Sequence, residues 1–383
     1  MSVVVFYVSG HGFGHAARDI EVIRALVGRS PDLRIVVRTA VPAWFFESAP
    51  RRRPGTGAVP SIEVQAAETD TGVVQVDSLR IDEHATARRA SDFHRTFRNR
   101  AAAEAAVLRT LAADVVIGDV PPLAFAAAHL AGVPSVLVAN FTWDWIYRAF
   151  PGFDAAAPGV MADVLDSYAC ATLALRLPLH GPLAPVAGVV RDIPLIARTS
   201  ALGRDESRRR LHLEDHLPVV LASFGRYGMP LPYEATARDN RLTLLVTDHE
   251  AGSTAPQTTS RFRCFSRRDM QGLGIEYQDL VSAADVVVSK PGYGIVSECI
   301  ANGTALLYPP RGRFPEYDVF VREMPDVLRC RPIAQEDLQA GRWSDGVDAL
   351  LRQPAPPRTL AVDGAEIAAH TIATLLAGSG AYS

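Results

Sequence analysis

Short β-branched runs alternate with helical patterns along this chain. Residues 3–8 are apolar and mostly β-branched, as in a strand buried on both faces of a parallel sheet. The polar, glycine-rich residues 9–15 interrupt the run. Ile20, Ile23, Leu26 and Val27 then recur at helical spacing over residues 16–27. The same alternation continues with a strand over 33–37, a long helix over 86–111 and a strand over 113–119 that ends in Asp119. A short helix over 123–130 and a strand over 135–139 follow. Proline and glycine crowd residues 177–198, which read as a loop-rich passage towards a linker. A charged helix over 204–213 comes next. Residues 218–222 open a second half with a strand and its own glycine turn. Further strands are expected over 242–247, 285–289 and 305–308, with 275–277 extended before a helix over 278–284. Residues 362–377 read as a last helix. The pattern predicts an α/β protein with two Rossmann-like parallel-sheet domains. Residues 1–200 form the first, 201–217 a linker region, 218–360 the second, and 361–383 a C-terminal helix and tail.

Composition narrows the class. A chain of 383 residues with 48% hydrophobic and 21% charged positions can bury two cores. The net charge of −3 gives no reason to expect nucleic acid as a partner. Four cysteines, Cys170, Cys264, Cys299 and Cys330, are widely spaced and form no CxxC pair, so neither a zinc ribbon nor a disulfide framework is expected. This usage suggests a reducing, cytoplasmic setting. The first residues lack a basic leader, and no apolar run approaches the length of a transmembrane segment.

The candidate chemistry sits in the turns that follow strands. In Ser289-Lys290-Pro291-Gly292-Tyr293-Gly294, a glycine turn opens a helix. Such a turn aims unpaired backbone N–H groups and the helix dipole at one point, which favours an anion, and Lys290 adds a full positive charge. Glu298, one turn further on, is placed to accept hydrogen bonds from a vicinal diol. Phosphate donors with a diol acceptor are what a nucleotide diphosphate requires. Near the N-terminus, Gly10, Gly12 and Gly14 give GxGxG, with Ala17 where a dinucleotide fingerprint needs its last glycine. The second strand ends in Arg38-Thr39 and not in an acid, which argues against NAD, although an arginine could face a 2′-phosphate. His11 and His15 flank this loop, and His15 is the stronger candidate for a general base near neutral pH. A metal pair lacks an evident third ligand. Trp143, Trp145 and Tyr147 after the 135–139 strand suggest either a sugar platform or core aromatics. Arg311, Arg313, Glu316 and Asp318 follow the 305–308 strand, where arginine suits phosphate and carboxylate suits sugar hydroxyls, or where all four form surface ion pairs.

Three motifs in order carry a resemblance: Gly10-His11-Gly12-Phe13-Gly14-His15-Ala16, Asn140-Phe141-Thr142-Trp143-Asp144-Trp145-Ile146-Tyr147, and Gly292-Tyr293-Gly294-Ile295-Val296-Ser297-Glu298. They resemble GT-B glycosyltransferases of the MurG kind, and more closely the glycosyltransferase-like module at the N-terminus of plant L-arabinokinase. The resemblance implies a GT-B fold, two domains facing across a cleft, with the acceptor on the first and a nucleotide sugar on the second. It implies that Glu298 holds the donor ribose and that the Ser289–Gly294 turn, with Tyr293, and the loop carrying Ser223, Gly225 and Arg226 hold the diphosphate. The base would stack near Tyr277, Glu316 and Asp318 would meet the sugar, and Gly12 and Gly14 would shape the first loop. His15 takes the place of the general base, with Asp119 orienting it or binding acceptor. The leaving diphosphate would be met by Lys290 and by Arg226 or Arg311. The chain lacks the Gln-rich sugar segment of the cell-wall enzymes, and the sequence carries no kinase phosphate loop, so arabinokinase activity is not expected. No Asp-x-Asp motif is present, so no metal is expected.

The expected activity is therefore inverting, metal-independent transfer from a nucleotide sugar, a UDP-sugar in kind and acting as co-substrate, to a hydroxyl- or amine-bearing acceptor, with no separate cofactor. The alternatives are a sugar-nucleotide epimerase of the same fold, a non-catalytic sugar-nucleotide-binding module and, more distantly, an NADP oxidoreductase.

Overall fold

A computed structural model describes residues 2–30, 32–48, 62–213, 216–225, 231–248 and 258–379. The chain divides into two compact units. The first comprises residues up to Val74, Asp82–Ile196 and the chain from Ala361 on, and the second comprises Gln75–Ile81 and Ala197–Leu360.

The first unit is built on seven parallel strands: β1 (Val3–Val8), β2 (Arg34–Thr39), β3 (Ile62–Ala66), β4 (Val115–Asp119), β5 (Ser135–Ala139), β6 (Leu173–Arg176) and β7 (Val190–Asp192). Their spatial order is β3-β2-β1-β4-β5-β6-β7. β1 lies between β2 and β4, with Val4 opposite Val115 and Val8 opposite Asp119. Every residue of β1, β4 and β5 is buried, as strands covered by helices on both faces must be. The second unit has six parallel strands: β8 (Val219–Ala222), β9 (Thr243–Thr247), β10 (Phe262–Phe265), β11 (Val286–Val288), β12 (Ala305–Tyr308) and β13 (Cys330–Pro332). Their order, β10-β9-β8-β11-β12-β13, repeats that of the first sheet. In each sheet the winding direction reverses beside the first strand, between β1 and β4 and between β8 and β11. The carboxyl ends of strands at such a reversal are where open α/β sheets bind ligands.

The division corrects the boundaries read from sequence. Residues 201–217 are not a free linker, because the helix Gly203–Arg210 packs on the helix Tyr277–Ala283 of the second unit. Arg204 and Arg208 each reach the Asp285 carboxylate at 2.7 Å, and Asp285 also accepts the Val219 backbone N–H at 2.8 Å. The helix Gly364–Ser379 returns to the first unit, where it packs on the helix Phe13–Arg29 and places Ala368, Ala369 and Ile372 in the core. Residues 75–81, from within the first half of the sequence, belong to the second unit. Gln75 and Ile81 form an antiparallel bridge, Leu79 enters the second core, and Ser78 Oγ donates to the Phe224 carbonyl at 3.1 Å. The helix expected over 86–111 is two, Glu83–His94 and Phe97–Leu111. The Thr96 hydroxyl donates to the Phe93 carbonyl at 3.4 Å, offering the backbone a local alternative to the helical ladder at the break. Tyr277 is not extended but opens its helix, with Glu276 as the cap.

Asp285 ties the helix Gly203–Arg210 to the starts of β8 and β11. Asp285→Ala removes both ion pairs and leaves the Val219 N–H without its acceptor, so it should cost about 2–3 kcal/mol of stability. Urea unfolding reads this as a lower midpoint at unchanged slope. An unchanged midpoint would mean that helix packing alone holds this corner.

Candidate functional site

At the β1/β4 reversal, β1 runs into the turn before the helix Phe13–Arg29 and β4 ends at Asp119. Gly12 is the N-cap of that helix with an extended φ of −168°, which any residue can adopt, and no side chain caps it. A Cβ at Gly12 would meet nothing within 4 Å among the described residues. The chain's own packing therefore does not demand glycine there. What glycine does supply is open space over the helix N-terminus.

His15 lies in the first turn of this helix, with 13% of its side chain exposed. Its Nδ1 is 2.8 Å from Asp119 Oδ1. Asp119 is wholly buried, and both its oxygens are engaged by Arg18, Oδ2 by Nε at 2.9 Å and Oδ1 by Nη2. Arg18 Nη1 donates to Asn140 Oδ1, and Asn140 Nδ2 donates to the Pro178 carbonyl at 2.7 Å. Burial alone would raise the Asp119 pKa, but the charge of Arg18 and the contact with His15 outweigh it and hold the carboxyl below its usual range. An ionised Asp119 accepts the proton on Nδ1, so Nε2 carries the imidazole lone pair. Nε2 has no hydrogen-bond partner among the described residues. Sequence reasoning missed Arg18 and Asn140. Arg18 is three residues from His15 on one helix, a spacing that could have flagged it.

His11 plays a different part. Its Nδ1 accepts the Val73 backbone N–H at 3.4 Å, and its backbone N–H donates to Ser9 Oγ. A Cβ at Gly72, whose φ is +58°, would lie 2.7 Å from His11 Nδ1. Buried Asp70 accepts from Ser9 Oγ at 3.1 Å and from Trp143 Nε1 at 3.0 Å. Trp143, Tyr147 and Phe153 stack on one another and are all buried. Trp143 and Tyr147 are thus core aromatics and not an exposed sugar platform. Arg38 is also spoken for, donating from Nη1 to Gln65 at 2.6 Å and from Nη2 to Glu104 at 2.6 Å. It does not await a 2′-phosphate, which removes the cation that an NADP site would need.

At the β8/β11 reversal, Ser223 follows β8 and Ser289 follows β11. Ser223 Oγ lies 2.6 Å from Tyr277 Oη. The buried Glu298 carboxylate is met by Arg198, whose Nε is 2.6 Å from Oε1 and whose guanidinium lies over the Tyr277 ring, 4.9 Å from its centroid. Arg198 was not foreseen, because its partner lies 100 positions away and its own segment is proline-rich loop. Gly292, the N-cap of the helix Tyr293–Asn302, repeats the geometry of Gly12: φ is −162°, no side chain caps the helix, and a Cβ would meet nothing within 4 Å among the described residues. Tyr293 and Gly294 form the first turn, and the Tyr293 ring packs on Phe320 with 4.8 Å between centroids. Lys290 Nζ is 3.3 Å from Gln75 Oε1.

Arg311 approaches the same turn. It is 8% exposed, its Nη1 donates to the Pro291 carbonyl at 3.1 Å, and its guanidinium lies over the Phe314 ring, 3.4 Å from the centroid. Among the described residues no carboxylate pairs with it, and its Nε has no hydrogen-bond partner. Burial pushes its pKa down to about 10, opposed by the charge of Glu316 at longer range. It remains protonated at neutral pH. It is therefore not one of the surface ion pairs considered from sequence. Glu316 and Asp318 lie in the first turn of the helix Pro315–Val327, the former half-buried and the latter exposed. Ser223 and Gly225 are described, whereas Arg226 lies outside the described residues. Among those described, no group of three or more His, Cys, Asp or Glu side chains is arranged to hold a metal ion, and no helix is long and apolar enough to cross a membrane.

No family model matches the chain. It is 28% identical over 384 residues to L-arabinokinase of Arabidopsis thaliana, with 97% of this chain and 34% of that protein covered. The chain thus spans about a third of the length of this curated relative. Among solved structures it is similar to the glycotransferase of kitacinnamycin, with a TM-score of 0.62 at 18% identity, covering 98% of this chain and 99% of that one. It is also similar to Phytolacca americana UGT2 complexed with UDP-2-fluoro-glucose and pterostilbene, with a TM-score of 0.56 at 14% identity, covering 99% and 95%. With two parallel-sheet units of matching strand order, the chain has the fold of the GT-B glycosyltransferases.

Proposed function

We propose that this protein is a glycosyltransferase that moves a sugar from a nucleotide diphosphate, UDP in the first instance, to a hydroxyl or amine of a small-molecule or glycolipid acceptor. The observation that carries this reading is Arg311. A buried guanidinium with no carboxylate paired to it among the described residues, tied to a glycine turn that opens an uncapped helix, is a cation in need of an anion. A diphosphate matches that requirement, and Lys290 and the helix N-terminus at Gly292 add to the same field. Glu298, held by Arg198, and Tyr277, held by Ser223, lie on the same unit as partners for the ribose and the base. UGT2, similar to this chain in fold, is complexed with a UDP-sugar, which supports UDP as the first donor to try.

In the proposed step, His15 Nε2 takes the proton of the acceptor hydroxyl or amine as that atom attacks the anomeric carbon. The bond from carbon to acceptor forms while the bond to the diphosphate oxygen breaks. The electron pair leaves with the diphosphate, whose growing charge is met by Arg311, Lys290 and the backbone N–H groups after Gly292. A single displacement inverts the anomeric centre. Asp119 stays ionised opposite the imidazolium. Positive charge from the protein at the leaving group is the basis for expecting no metal requirement. The setting proposed is cytoplasmic.

A thermal-shift panel of nucleotide diphosphates, nucleotide sugars and NADP(H) tests the donor site, because bound ligand raises the unfolding temperature by mass action. One nucleotide diphosphate should raise it, and Arg311→Leu should abolish that rise. A rise with NADP(H) alone, or none with any nucleotide, would overturn the reading. His15→Ala should lower kcat about 10²–10⁴-fold while leaving the nucleotide-induced shift intact, measured as diphosphate release with a panel of hydroxyl and amine acceptors. Undiminished turnover would remove His15 from the step.

A further inference from the structure

The transfer step does not use the buried carboxyl of Asp19. Asp19 follows Arg18 in the helix Phe13–Arg29, one turn after His15, and is fully buried. Neither of its carboxyl oxygens meets a hydrogen-bond donor among the described residues. The charged groups that bear on it are Asp119, from the end of β4, and Arg18, from its own helix. Arg18 offers it little, because Nε and Nη2 are engaged by Asp119 and Nη1 by Asn140. The single positive charge of Arg18 is already matched by Asp119. An ionised Asp19 would be a second buried negative charge with no donor aimed at it, at a cost of several kcal/mol.

We infer that Asp19 is a neutral carboxylic acid whose O–H is directed at the Asp119 carboxylate, and that it is a positioning residue for the His15–Asp119 pair. The electrostatics agree with this geometry. Burial pushes both carboxyls up. Asp119 nevertheless ends below the usual range because of Arg18 and His15, whereas Asp19 ends well above it because the charge of Asp119 adds to burial. The two carboxyls thus carry one negative charge between them, as closely placed carboxyls do.

The consequence falls on the base. With Asp19 neutral, Asp119 is the carboxylate in contact with His15, and Arg18 balances its charge. An ionised Asp19 would add a buried negative charge that Arg18, already matched by Asp119, does not balance. The Asp19 O–H would then add a hydrogen bond to the Asp119 carboxylate that also holds His15 Nδ1. This role rests on His15 as the proton acceptor in the proposed transfer, but the state of Asp19 does not.

Infrared spectroscopy of the protein at neutral pH, with the ring nitrogens of His15 followed by NMR across pH, tests both parts. The native protein should show the C=O stretch of a protonated carboxylic acid that is absent from Asp19→Asn and Asp19→Ala. Asp19→Asn, which keeps a donor towards Asp119, should preserve the titration of His15 and kcat to within about twofold. Asp19→Ala, still folded by circular dichroism, should shift the His15 titration and lower kcat about tenfold or more, as loss of positioning does. Absence of the acid band in the native protein would overturn the inference. So would an Asp19→Ala variant whose His15 titrates as in the native protein. If no variant, nor the native protein, turns over any donor, the transferase reading fails, while the infrared and NMR results still decide the state of Asp19.

Discussion

A carboxylate at the inner end of a buried parallel strand must find its charge balance within the chain. Asp119 ends β4 with no exposure to water, and the first unit is arranged around that constraint. Arg18 supplies the counter-charge, and Asn140 fixes Arg18 from the end of β5 while reaching on to the Pro178 carbonyl. Removing any one member would strand another, because a buried charge that loses its partner costs more than the pair contributes. His15 occupies the one face of the cluster that opens outward, so its tautomer and orientation follow from a network anchored in the sheet.

The second unit solves a related problem with the opposite sign and leaves it unfinished. Glu298 and Asp285 are both matched, by Arg198 and by Arg204 with Arg208. Arg311 is paired with no carboxylate among the described residues, although it is as buried as Arg18. Its ring contact with Phe314 and its bond to the Pro291 carbonyl compensate only part of the lost hydration. Two buried arginines beside the reversal of matching sheets thus differ, one neutralised by Asp119 and the other with no carboxylate paired to it among the described residues. That asymmetry gives the two units separate roles within the same strand order.

Much of the fold was legible, because β1, β4, β8 and β11 are local apolar runs closed by polar turns, and alternation with helices forces a parallel sheet. Asp119, His15 and the Ser289–Gly294 turn were legible for the same reason, lying within a few positions of a strand end. What was not legible is long-range. Arg198 meets Glu298 across 100 positions, and Gln75 crosses 215 to reach Lys290. No periodic signal encodes such a pairing. Residues 75–81 join the second core through Leu79, too short a run to read as an element. The aromatics at 143–147 misled for another reason. Amphipathic rings suit a sugar platform and a core equally well, and the decision fell to Asp70, which buries the Trp143 N–H by accepting from it. Arg38 was likewise ambiguous until Glu104, on a helix far along the chain, claimed it.

Glycine at positions 12 and 292 sharpens the relation between these sheets. Both cap a helix at a reversal, both have extended backbone open to any residue, and at both a Cβ would meet nothing. Serine, threonine or aspartate would cap these helices better, by roughly 0.5–2 kcal/mol relative to an alanine, while glycine forgoes only part of that. Neither backbone strain nor internal packing accounts for the choice. A side-chain cap would occupy the first N–H groups of each helix, whereas glycine leaves them unshielded for a ligand to approach. The same device in both units places an uncapped positive helix end near His15 in the first and near Arg311 in the second.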